Sequence, residues 1–180
     1  MAEEVEIKQT KTEIRILTEH DAKAFHALQL RATKDHPEAF GMAYEELLQR
    51  SVEDIVKGFR EAAQTGNPLY FGAFDPALVG LVRLIAYGGI RLGHRGGLGG
   101  MYVAPEARGK GAGKAMLESA ISHARDVLGL ELITLSVTAG NETARKLYEA
   151  AGFRQHGVEP CGLKVGEQCY DLELMYLRLK

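Results

Sequence analysis

A chain of 180 residues with 46% apolar and 26% charged residues has the length and composition of one folded domain with a substantial core. Its formal net charge of -2 argues against nucleic acid as a partner held by bulk electrostatics. No apolar run reaches the roughly 18 residues that a bilayer-spanning helix needs, so no membrane partner is expected.

The first residues, "MAEEVEIKQTK", are charged and lack the apolar centre of a secretory signal. Residues 1–11 are expected to form a flexible tail, and a reducing, cytoplasmic setting is the default. "TEIRIL" (12–17) alternates polar and apolar side chains, as a strand does. A helix follows, with Thr18 or Asp21 as its N-cap and Ala24, Phe25, Leu28 and Ala32 on one face. It should stop near Asp35, because Pro37 disfavours helical geometry in His36. "PEAFGMAYEELLQR" (37–50) reads as a loop and a short helix. Ser51 with Asp54 three residues on is a capping-box pattern for a further helix to about Ala63. "LYFGAF" and "ALVGLVRLIAY" then form a hairpin around Asp75-Pro76. Residues 88–97, "GGIRLGHRGG", read as a mobile loop, and 98–103 as a strand.

Beyond a glycine-rich stretch, residues 112–128 carry Met116, Leu117, Ala120, Ile121, Ala124 and Leu128 at helical spacing, with Gly129 as the stop. "LITLSV" (132–137) is a strand, and the helix in "NETARKLYEAAGF" (141–153) has Asn141 as N-cap and Gly152 as stop. Residues 157–168 read as a loop able to fold over a ligand or serve as a hairpin connection. A last long strand occupies 169–179. Cys161 and Cys169 are too few for a disulfide framework and lack metal-ligand spacing. The connection from strand 98–103 through a helix to strand 132–137 requires parallel pairing there. The fold class is therefore α/β with a mixed sheet of the α+β type. One domain over 12–180 places antiparallel N-terminal strands before a parallel strand–helix–strand unit.

The stretch "MYVAPEARGKGAGK" (101–114) organises the rest. Pro105 closes a strand because it has no N–H to give to a ladder. Gly109, Gly111 and Gly113 then lead into the helix, where glycine lets amides converge and the helix end adds unpaired N–H donors. Arg108, Lys110 and Lys114 add positive charge, which makes the stretch a cradle for phosphate. A P-loop is excluded, since Arg108 stands at its first glycine and Ala115 at its hydroxyl position. The dinucleotide fingerprint fails as well, with Lys114 or Met116 where its last glycine belongs.

What fits is R-x-x-G-x-G at Arg108, Gly111 and Gly113, preceded by V-x-P at Val103 and Pro105. About thirty residues on, N-x-x-A-x-x-x-Y-x-x-x-G-F is matched by Asn141, Ala144, Tyr148, Gly152 and Phe153. Both motifs, in this order, resemble those of the GNAT superfamily of acetyl-CoA-dependent N-acetyltransferases. The resemblance implies that acetyl-CoA is the co-substrate and that no metal is required. It places Met101, Tyr102 and Val103 along the pantetheine arm, with Arg108, Gly109, Lys110, Gly111, Ala112, Gly113 and Lys114 around the pyrophosphate. Asn141 would bond the arm, and Tyr148 would protonate the leaving thiolate as general acid, a role suited to a phenol. A backbone N–H between the parting strands would steady the oxyanion.

The strand entering the loop, "GGLGGMYV", contains no acid, so the base is unassigned; His94, Asp171 and Glu173 are candidates, each through water. For the acceptor, Arg31, Phe40, Tyr44 and Glu45 in the variable segment 25–50 are candidate contacts. The expected function is acetyl transfer to a primary amine of a small molecule. A ribosomal-type protein N-terminal acetyltransferase and a non-catalytic acyl-CoA sensor are the alternatives, and a homodimer is compatible with the sequence.

Overall fold

A computed structural model describes residues 12–180; the expected tail at 1–11 lies outside the described residues. Strands β1 (Glu13–Ile16), β2 (Leu69–Asp75), β3 (Ala77–Ala86), β4 (Arg95–Val103), β5 (Leu132–Thr138), β6 (Arg154–Val165) and β7 (Gln168–Arg178) share one sheet. Their order is β1-β2-β3-β4-β5-β7-β6. β1 to β4 pair antiparallel, β4 and β5 pair parallel, and β7 returns antiparallel to both β5 and β6. The mixed sheet expected from the crossover is the one observed.

Five α-helices cover it: α1 (Ala22–Asp35), α2 (Tyr44–Leu48), α3 (Val52–Thr65), α4 (Ala112–Ser122) and α5 (Glu142–Ala150). Successive β2 residues show the two layers, as the pleat requires. The Tyr70 ring meets Phe25 of α1 at 4.7 Å and Phe59 of α3 at 5.7 Å. Phe71 turns the other way and meets His123, just beyond α4, at 5.6 Å. Gly80 of β3 lets α4 approach, because a Cβ there would lie 2.7 Å from Met116 Cε. Met116, Leu117, Ala120 and Ala124 are all buried on that side.

Local sequence sets most helix ends. Ser51 Oγ accepts from the Asp54 amide at 3.1 Å and Asp54 accepts from the Ser51 amide at 3.3 Å, closing the capping box of α3. Gly66 ends that helix in the left-handed conformation, φ 70°. Asp21 does not cap α1 with its side chain. It takes a bidentate pair from Arg15 at 2.8 and 2.7 Å, together with the Thr18 amide at 2.8 Å. The Arg15 guanidinium beside it holds this buried carboxyl well down, at about 2.

Several expectations need correction. Ala24 is exposed, and Ala22 takes its place in the buried stripe with Phe25, Leu28 and Ala32. Residues 95–97 belong to β4 and not to a loop, since Gly96 and Gly97 pair with both β3 and β5. The helix from 112 turns into a π-helical stretch at His123–Val127. Residues 154–165 form the edge strand β6, interrupted by register shifts at 155–157 and 159–163. An edge strand tolerates Pro160, whose missing N–H has no ladder partner to lose. Cys161 and Cys169, which were expected to form no framework, are joined in one disulfide across this hairpin.

Candidate functional site

β4 and β5 pair only at Arg95–Leu132, Gly96–Ile133 and Gly97–Thr134. Beyond Gly97, β4 stays on β3 as far as Val103 and β5 stays on β7 as far as Thr138. Their facing edges, at 98–103 and 135–138, therefore run without a strand partner and part as a V. A bulge drives the divergence. Arg83 of β3 faces Gly99 and Leu81 faces Tyr102, so two steps of β3 stand against three of β4. Gly100 absorbs the extra residue at φ 59°, a conformation glycine adopts without steric cost.

At the open end of the V, β4 passes through a short turn at Pro105–Ala107 into α4. Gly109 and Gly111 are both left-handed, at φ 76° and 83°, and a Cβ on either would meet nothing within 4 Å. They border open space, and the α4 amides from Ala112 to Lys114 face it as the unpaired donors of a helix start. Gly113 fits closely against Met101, Val103 and Leu147, where a Cβ would lie 3.4 to 3.5 Å from their side chains. The cations have partners already. Arg108 donates to the Val103 carbonyl at 2.9 Å, Lys110 pairs with Asp75 at 3.2 Å and Lys114 with Glu118 at 3.8 Å. The two lysine pairs are exposed and of little worth, so both charges stay available to an anion. Tyr102 turns its side chain away toward α1 and donates to Asp35 at 3.3 Å, leaving only its backbone at the V.

The second motif closes the other side. Asn141 caps α5, accepting the Ala144 amide on Oδ1 at 3.2 Å. Tyr148 is buried, edge-on to Phe153 at 5.9 Å, and its hydroxyl has no hydrogen-bond partner among the described residues. Burial pushes the phenol up to about 12, so it holds its proton throughout the neutral range. Gly152, at φ 96°, ends the helix, and Phe153 is buried.

On the α1 face of the sheet, two cavities of about 430 and 350 Å³ adjoin the V and share Arg83, Leu98 and Ser136. The larger lies under α1 and α2, lined by Gln29, Phe40, Leu47, Arg50, Gly99 and Gly100 among others. The smaller extends across β5 to Tyr87, Arg95, Thr134 and His156. Of the expected acceptor contacts, Phe40 lines the larger cavity, whereas Tyr44 and Glu45 line neither. Arg31 is bound bidentately to Glu106 at 2.6 and 2.8 Å, which holds that carboxyl down to about 2.

None of the three candidate bases lines either of these cavities. His94 lies in the turn before β4, Asp171 accepts the Cys161 amide at 2.8 Å, and Glu173 faces Arg145 at 4.0 Å. His156, Arg83, Arg50 and Gln29, which sequence reading did not single out, do line them. The Gly99-Gly100 pair inside a strand and the single charge of Arg83 in an apolar run are the local signals that point here. Among the described residues no cluster of His, Cys, Asp or Glu could hold a metal, and no helix is long and apolar enough to cross a membrane.

Comparison with known proteins gives a consistent picture. The model of the acetyltransferase (GNAT) family matches residues 23–153. A mycothiol acetyltransferase of Nocardiopsis dassonvillei is 34% identical over 146 residues, covering 74% of this chain and 39% of that protein. The chain thus spans about two fifths of the length of such relatives. A GNAT-family acetyltransferase of Streptococcus pneumoniae superposes with a TM-score of 0.85 at 24% identity, over 94% of this chain and all of that one. An acetyltransferase of Salmonella typhimurium, solved with acetyl-CoA, superposes at 0.81 with 18% identity over 95% of both chains.

Proposed function

The chain belongs to the acetyltransferase (GNAT) family, and we propose that it moves an acetyl group from acetyl-CoA directly to the primary amine of a small molecule. The observation that carries this reading is the V between β4 and β5, with an amide-lined cradle at its open end and a cavity of ligand size on one face.

The chain's residues fit the coenzyme on three counts. The left-handed Gly109 and Gly111 leave room for a pyrophosphate against the α4 amides, which a side chain at either position would occupy. The free edge of β4 offers Met101 and Val103 backbone to an extended arm, in the manner of an added strand. The Asn141 amide group, whose oxygen already caps α5, can donate to the same arm. When bound, acetyl-CoA supplies an activated acyl carbonyl and a thiolate leaving group.

The remaining roles fall to this chain. We assign stabilisation of the developing oxyanion to a backbone N–H of the Gly99–Met101 bulge, on the stretch of β4 that has no β5 partner. Tyr148, protonated and without another partner, delivers a proton to the departing sulfur. The acceptor must lose a proton before attack. Because His94, Asp171 and Glu173 stand away from both cavities, we assign water-mediated deprotonation to His156, the imidazole in the smaller one.

Free-thiol release from acetyl-CoA against amino acids, polyamines, aminoglycosides and short peptides tests the reading. An amine-dependent rate with a small molecule is expected. Preference for peptide N-termini would mark a protein acetyltransferase, and tight coenzyme binding with no accelerating amine would mark a sensor.

A further inference from the structure

We infer that the acceptor carries an anionic group, a carboxylate or a phosphate, and that Arg83 is the side chain that selects it. The inference rests on the transferase reading and names the substrate class for the same site.

Arg83 interrupts an apolar strand. Its neighbours Leu81, Val82 and Leu84 are buried, whereas Arg83 is exposed where the two cavities open. Cross-strand pairing with Tyr70, whose ring faces α1, puts Arg83 on the acceptor face. The guanidinium lies over the bulge, since a Cβ on Gly99 would sit 3.7 Å from Arg83 Nη2. It lines both cavities beside the point where the acyl group must lie.

Several arginines of this fold hold carboxylates, whereas Arg91, Arg154 and Arg178, outside both cavities, have no ion-pair partner among the described residues. Arg15 holds Asp21, Arg31 holds Glu106, Arg60 holds Glu19, and Arg145 holds Glu142 and Glu149. The Arg83 guanidinium has no hydrogen-bond or ion-pair partner among the described residues, and neither does that of Arg50, which lines the larger cavity. Arg95, in the smaller cavity, leaves its Nε buried and unpartnered. Among the described residues no Asp or Glu lines either cavity. A polycation would meet three guanidiniums and no counter-charge, whereas a carboxylate or phosphate fits their fork geometry. Gln29 Oε1, buried and unpartnered in the larger cavity, offers an acceptor for the substrate's own donors.

The test uses matched acceptors that differ in one anionic group: α-amino acids against their amides, and glucosamine 6-phosphate against glucosamine, with spermidine as the polycation. Thiol release gives kcat and KM for each, and calorimetry gives acetyl-CoA affinity. One of the two anionic series should exceed its neutral partners by about 10²-fold in kcat/KM, chiefly through KM. Which series does so identifies carboxylate or phosphate. In Arg83→Met that ratio should fall toward one, and Arg83→Lys should recover part of it, because charge returns without the fork. Retained acetyl-CoA affinity in both variants verifies that they are folded. Neutral amines or spermidine used as well as the anionic acceptors, or a ratio unchanged in Arg83→Met, overturns the inference alone. Acetyl-CoA binding with no amine active overturns the transferase reading and the inference together.

Discussion

The two sides of the V are made of different materials. The cradle side is backbone: left-handed glycines, the start of α4, and a strand edge with no neighbour. The acceptor side is side chains: Gln29 from α1, Arg83 from β3, Ser136 from β5 and His156 from β6. Most substitutions leave a backbone N–H in place, proline being the exception, so a backbone site persists more readily than the side chains opposite it. One half can therefore keep a common coenzyme while the other is refitted to a new amine.

The largest effect should come from filling the cradle. Gly111→Glu puts a charged side chain at a left-handed position that borders open space, and coenzyme affinity by calorimetry should fall more than ~10²-fold. An unchanged affinity would remove the cradle from the site. Tyr148→Phe tests the boundary between the halves. Turnover should drop ~10²-fold with coenzyme affinity kept, since only the proton donor is lost. With the phenol at about 12, its ionisation should leave no mark on the pH–rate profile near neutrality. A full-rate variant would show that water protonates the thiolate.

His156→Gln probes the acceptor side alone, and kcat should fall ~10-fold or more with coenzyme affinity kept. A turnover equal to that of the wild type would return the base to solvent. Beneath both halves lies the scaffold, where Asp21→Asn should cost about 1–2 kcal/mol by urea unfolding near pH 7 with kcat unaltered. The Asp21 carboxyl is held at about 2, below its ordinary range. Its stabilisation is complete above about pH 4 and is lost as the pH falls toward 2. The wild type and variant should therefore converge in acid; a gap that persists at pH 2 would point to packing instead.

The same division explains what could be read from the chain. A backbone site leaves local marks, because glycine spacing, a cap and a helix stop lie within a few residues of each other. Arg108 to Lys114 and Asn141 to Phe153 were legible for that reason. The acceptor cavities draw on positions from Gln29 to His156 that only the sheet brings together. Arg83 did leave a trace, a single charge in "ALVGLVRLIAY", but a charge in a strand looks the same whether it faces solvent or a ligand. β6 was misread because Gly157, Pro160 and Gly162 punctuate it like a loop, and an edge strand with two register shifts tolerates all three. Arg31 offered the right chemistry, yet Glu106, distant in sequence, had already taken it.

The parting of β4 and β5 has a consequence for the molecule at rest. Residues 98–103 and 135–138 keep amides that a continuous sheet would have locked, so hydrogen exchange there should outpace that at Gly96 and Gly97. A guest lying along that edge completes the ladder and slows the exchange. By mass action each tenfold rise in coenzyme above its dissociation constant then adds about 1.4 kcal/mol to the folded state. The protein's resistance to unfolding becomes a running measure of how much coenzyme surrounds it.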